Sequence, residues 1–206
     1  MDGNGNHGTR TGEMPARGRP MTAPAVEARR ELVGALTFVP AARRGPLVER
    51  VCQAFALPLD SIHGPAHWLR VRENGLRLAE LTGADPAVVE LFALFHDSKR
   101  QNDHGDPGHG RRAAEFLRTL REPLNYIADD DFEHLLFACT HHTAGWTEAE
   151  LTVQACWDAD RLDLGRVGIR PVPDRLCTPA AREPGLLAWA YARSRSDREM
   201  GNGEQT

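Results

Sequence analysis

His67, the adjacent pair His96 and Asp97, His109, His142 and Asp160 are the residues of this chain whose types and spacing point to chemistry. Imidazoles and carboxylates are ligands for first-row divalent ions, and no thiolate in the set forces zinc. Iron, manganese, cobalt, nickel and zinc all suit such donors. An aspartate beside a ligand histidine can bridge two ions, so the set accommodates one metal or two. A lone histidine on a helix is more often structural than a ligand. Several aimed inward together are another matter, because each buried imidazole needs a partner.

The elements that must position them read as helices. The stretch Pro86 to Asp97 is apolar from Val88 to Phe95 except for Glu90, which predicts a helix buried on most faces. Asp85 and Pro86 are a cap and a first-turn proline. That helix delivers His96 and Asp97 into the interior. Upstream, the segment His63 to Gly83 reads as helical, with Pro65 near its start, His63 and His67 one turn apart and Trp68, Val71, Leu78 and Leu81 recurring at roughly helical spacing. A polar loop follows residue 97, and Asp106-Pro107 repeats the cap-and-proline start. In the helix expected next, His109, Ala113, Phe116 and Leu120 share a stripe. Phe132, Leu135, Leu136 and Cys139 mark the buried face of a helix near 131–141, and the same phase includes His142 but not His141.

Thr147 and Glu150 form a T-x-x-E capping box. The helix after it passes through Val153, Trp157 and Leu162 and carries Asp158, Asp160 and Asp163. Its phase does not separate Asp158 from Asp160. Between residues 26 and 57 two helical patterns are divided near Gly45 and Pro46. The proline-rich stretch 166–185 reads as irregular, and a last helix covers Leu186 to about Arg195. No convincing strand or internal repeat appears. The fold class expected is all-α, a single-domain helical bundle over 26–198. Residues 1–25 read as a disordered tail and 199–206 as a flexible C-terminus.

Composition sets outer bounds. With 206 residues the chain suits one domain with a sizeable core. A net charge of -4 gives no sign of a nucleic-acid surface. Cys52, Cys139, Cys156 and Cys177 form no CxxC pair and mostly sit in apolar helical patterns, which suits reduced thiols. No apolar run is long enough for a membrane span, and the N-terminus lacks the apolar core of a secretory signal. A cytoplasmic location without membrane association is the expectation.

In sequence order, His67-Trp68-Leu69-Arg70-Val71, His96-Asp97 and Ala159-Asp160-Arg161-Leu162 match an HxxRV…HD…ADRL pattern. The chain thereby resembles the HD-domain superfamily of metal-dependent phosphohydrolases, over roughly residues 60–165. The resemblance implies an HD-type bundle with His67, His96, Asp97 and Asp160 as metal ligands. His109-Gly110 with Ala113-Ala114 is similar to the HGxxGA segment of bacterial HD-type dinucleoside-tetraphosphate hydrolases, with Arg112 in place of a glycine. His142-Thr143-Ala144-Gly145 resembles their HTxG segment. In that branch the two histidines hold a second metal. Relatives often read HDxGK, so Arg100 stands at the usual lysine and is the expected phosphate clamp, with Lys99 beside it as the alternative. Arg175 is a further candidate for reaching a substrate.

The activity implied is hydrolysis of a phosphate ester or anhydride of a small molecule, a nucleotide by analogy, with Asp97 positioning the attacking water. The rival is an HD-fold di-iron oxygenase cleaving a carbon bond with dioxygen, which uses the same six-residue pattern. A binding protein with a degenerate site is the third reading, and the full ligand set argues against it. The oligomeric state leaves no mark in the sequence.

Overall fold

A computed structural model describes the backbone of residues 23–201 and the side chains of residues 26–195. Its regular elements are all helical, with no strand among the described residues. In order they are α1 (Ala23–Ala35), α2 (Ala41–Ala54), α3 (Pro65–Thr82), α4 (Pro86–Phe95), α5 (His109–Arg118), α6 (Asp129–His141), α7 (Leu151–Arg161), α8 (Pro179–Arg182) and α9 (Pro184–Gly201). Two 3₁₀ turns, Leu164–Val167 and Pro173–Arg175, interrupt the stretch expected to be irregular. The chain forms one helical bundle. No helix among the described residues is long and apolar enough to cross a membrane. Most of the expected tail at 1–25 and of the C-terminal stretch at 199–206 lies outside the described residues.

Helix α4 is the axis. Every residue from Val88 to Phe95 is buried, and α3, α6 and α7 pack around it. Its start is as the sequence requires: Asp85 Oδ1 accepts from the backbone N–H groups of Ala87 and Val88 at 2.7 and 2.9 Å. Beyond Phe95 the helix tightens. Ser98 N–H donates to Phe95 O and Arg100 N–H to Asp97 O, i-to-i+3 turns that splay His96 and Asp97 into the interior. Two glycines set close approaches. A side chain at Gly75 would run into Val89 and Ala159, and one at Gly110 into the carbonyl of Cys139. The first lets α3 press on α4 and α7; the second lets the start of α5 meet the end of α6.

Three boundaries differ from the sequence reading. Helices α1 and α2 are divided at residues 36–40, and Gly45 and Pro46 lie inside α2. The division falls where Glu90 of α4 gathers the backbone N–H groups of Thr37, Phe38 and Val39, an anchor between residues distant in sequence. Asp106-Pro107 does not open α5. Asp106 instead accepts from Gln101 N–H at 2.9 Å and from Arg112 Nη2 at 2.6 Å, and the helix begins at His109. Thr147 does not cap α7 either: Glu150 is itself the cap, accepting from Thr152 and Val153 N–H. The four cysteines are free thiols.

Candidate metal centre

Five helices bring their candidate residues to one buried space. His67 comes from α3, His96 and Asp97 from just past α4, His109 from the first position of α5, His142 from just past α6 and Asp160 from α7. His67 and His96 are fully buried, and Asp97, His109 and His142 nearly so. Their nitrogen and oxygen atoms form two groups that could each hold a metal ion, and His63 with His67 and Asp97 makes a third. In one, His67 Nε2 lies 3.0 Å from His96 Nε2 and 3.4 Å from Asp160 Oδ1. In the other, His109 Nε2 lies 2.8 Å from His142 Nε2 and 3.0 Å from Asp97 Oδ1. Asp97 serves both. Its Oδ2 faces His67 and His96 at 3.7 and 3.8 Å while its Oδ1 faces His109 and His142.

The tautomers decide what these contacts are. His67 Nδ1 lies 2.6 Å from an oxygen of Asp163, and His96 Nδ1 lies 3.2 Å from the carbonyls of Phe92 and Ala93. His109 Nδ1 meets Asp106 O at 2.5 Å and His142 Nδ1 meets Cys139 O at 2.8 Å. Each of these partners only accepts, so each neutral imidazole carries its proton on Nδ1. All four Nε2 atoms then present lone pairs to the shared space, in two face-to-face pairs that cannot be hydrogen bonds. The carboxylates add to this. Among the described residues, Asp97 Oδ1 and Asp160 Oδ1 are the carboxylate oxygens that are buried without a hydrogen bond. Lone pairs and bare anionic oxygens crowded together are costly unless a cation or an added proton lies among them. The donor set fits a divalent transition ion.

The titration behaviour points the same way. Burial holds His67 well below the usual imidazole range, helped by Arg166 and His96, and burial brings His96 to about 4. Both stay ready as neutral ligands. Burial alone would lower His142 too, but Asp97 and Asp160 outweigh it and raise it. Burial would raise Asp97 and Asp160, yet the surrounding imidazoles, with Arg166 beside Asp160, hold both down.

The structure separates the two aspartates that helical phase leaves together. Asp158 points away and is saturated by Cys177 N–H at 2.6 Å, Thr178 N–H at 2.7 Å and the Thr178 hydroxyl at 2.8 Å. Asp160 faces the cluster. The two basic candidates also part. Lys99 Nζ reaches Ala54 O at 3.5 Å and sits over the Phe116 ring, on the side of α2. Arg100 is buried, with Nε and Nη2 donating to the carbonyls of Asn102 and His104 and Nη1 lying 3.5 Å from Asp97 Oδ1. Arg112 donates to Lys99 O and Asp106 and ties the 99–106 loop to α5. Arg175 is exposed on the surface loop before α8.

Three supporting residues escaped the sequence reading. His63 Nδ1 donates to Asp97 Oδ2 at 2.8 Å. Asp163 holds His67 Nδ1 and also accepts from Arg70 Nε at 2.7 Å, so the HxxR spacing places a histidine and an arginine on one carboxylate. Arg166 donates to the carbonyls of Ile62 and Asp163 and lies 3.9 Å from Asp160 Oδ1. Such outer partners orient ligand histidines. Only the turn-apart spacing of His63 and His67, and of Asp160 and Asp163, hinted at them. Against protein-family models, curated proteins and solved structures the chain finds no match.

Proposed function

We propose that this protein is a metal-dependent phosphohydrolase of the HD type, cleaving a phosphate ester or anhydride of a small molecule such as a nucleotide. The observation that carries the reading is the convergence of four imidazole Nε2 atoms and two carboxylate oxygens without hydrogen bonds on one buried space, in the chain order H, HD, D. His67, His96, Asp97 and Asp160 would hold one ion, and Asp97, His109 and His142 a second. Ions so held supply an activated water and an electrophilic contact for a phosphoryl oxygen.

The chain does the rest. Asp163 and His63 fix the orientation of His67 and of Asp97, and the buried walls exclude bulk water. Arg100 and Arg166 set guanidinium groups beside the two halves, where the charge of a phosphoryl group develops. The same six donors also suit a di-iron centre that uses dioxygen. Elemental analysis of the purified protein, with phosphate release measured anaerobically over a panel of phosphorylated compounds, separates the readings. Oxygen-independent release that disappears in Asp97→Ala is the expected result. Oxygen uptake with an organic substrate, and no phosphate release from any compound, would hand the site to the oxygenase.

A further inference from the structure

The second metal group has a cation of its own. Arg100 Nη1 lies 3.5 Å from Asp97 Oδ1 and 3.4 Å from His109 Nε2, both donors of that group. The same guanidinium holds the polar loop between α4 and α5. Its Nε donates to Asn102 O at 3.0 Å and its Nη2 to His104 O at 2.6 Å. Residues 101–105 are all exposed and include no apolar side chain that could anchor them. Their other hydrogen bonds, among the described residues, run from Gln101 N–H to Asp106 Oδ2 and from His104 N–H to Asn102 Oδ1, each 2.9 Å. Arg100 is therefore the loop's link to the buried cluster.

A divalent ion on Asp97 Oδ1 and His109 Nε2 would take over the carboxylate that attracts the guanidinium. It would also set a like charge beside it, in a space where water screens little. Arg100 is 9% exposed, so part of it already reaches solvent. We propose that Arg100 couples the second ion to the 101–105 loop: filling the group drives the guanidinium off Asp97 and releases the carbonyls of Asn102 and His104. The coupling is reciprocal, so the clamped loop weakens binding of that ion. The first group lacks such a device. Arg166 stands 3.9 Å from Asp160 Oδ1 and holds Ile62 O, but the segment around Ile62 has other anchors. Ser61 N–H donates to Pro58 O and Gly64 N–H to Ser61 O, and His63 and Gly64 are buried. This inference rests on the metal centre and not on the reaction it performs.

Hydrogen exchange of the full chain with and without Mn²⁺, read by mass spectrometry beside elemental analysis, tests it. Metal should raise the exchange rate of residues 101–105 by about tenfold while residues 58–64 stay unchanged. Asp160→Asn, which keeps the second group alone, should show the same rise. His142→Ala, which keeps the His67 group, should bind its ion with no change in the loop. Arg100→Gln should leave the loop exchanging fast with or without metal, at full metal content. A loop that two ions leave unchanged or slow down, or that quickens in His142→Ala as much as in the unmutated protein, overturns the coupling and leaves the metal centre standing. A protein that takes up no ion removes the metal centre and the coupling together.

Discussion

Helix α4 carries one buried carboxylate in its middle and delivers another just past its end, and the two are treated in opposite ways. Glu90, 0% exposed, is saturated. It accepts from the N–H groups of Thr37, Phe38 and Val39, from the Thr37 hydroxyl and from Arg72 Nε at 2.9 Å. Asp97, equally enclosed, has one hydrogen bond, from His63, and an oxygen with none. A carboxylate that holds a fold together brings its full set of donors with it. One that leaves an oxygen bare among four imidazole lone pairs is arranged for something that arrives from outside. The same contrast recurs within α7, where Asp158 is saturated and Asp160 is bare.

The two anions of α4 should respond to removal in opposite ways. Asp97→Ala should abolish binding at both metal groups, read by elemental analysis, and leave the metal-free fold intact by circular dichroism. Glu90→Gln should do the reverse. It costs about 3 kcal/mol of stability in urea, because N–H groups and Arg72 lose a buried partner, while metal content per folded molecule stays full. Undiminished metal in Asp97→Ala would end the metal reading of the whole cluster.

The pair on α7 repeats the contrast at smaller scale. Asp160→Asn should empty the His67–His96 group with little change in metal-free stability. Asp158→Asn should keep its metal and lose about 2 kcal/mol, because three hydrogen bonds that anchor Cys177 and Thr178 are weakened. If Asp158→Asn lost metal while Asp160→Asn kept it, saturation would be a poor guide to role.

Within the cluster the two groups differ as well. His109→Ala or His142→Ala should lower the stoichiometry from near two ions towards one. A wild-type protein that takes only one ion under saturating metal would make the centre mononuclear. Each group has a buried guanidinium beside it, Arg100 at 3.5 Å from Asp97 Oδ1 and Arg166 at 3.9 Å from Asp160 Oδ1. Replacing Arg100 with Gln should tighten the second ion by roughly tenfold in calorimetry, as a like charge is removed.

The smallest effect is the most specific. A metal ion needs His142 neutral, and His142 is raised above its ordinary value by Asp97 and Asp160 while His96 titrates only at about 4. As pH falls through the His142 value, protons displace the second ion first. Equilibrium dialysis across falling pH should therefore show one ion released at a higher pH than the other. Simultaneous release would show that the halves are not distinct.

The helices and most of what they carry were legible from local residue patterns. Apolar spacing marked α3, α4, α6 and α7, and their phases sent His67, His109 and His142 inward, because a 3.6-residue period fixes which side chains share a face. The doublet after α4 needed no geometry to be noticed. What periodicity cannot do is distinguish neighbours at a helix end or contacts between segments far apart in the chain. Asp160 was separated from Asp158 only when the 177–178 backbone closed on Asp158. His63 entered the centre only through a bond to Asp97 on another element, and Asp163 only through His67 on α3. The division of α1 from α2 fell where Glu90 reached across from α4, and the cap at Asp106 was diverted to Arg112. In each case the deciding partner is supplied by a different part of the chain, so tertiary packing, not local preference, fixed which polar groups were satisfied and which were left bare.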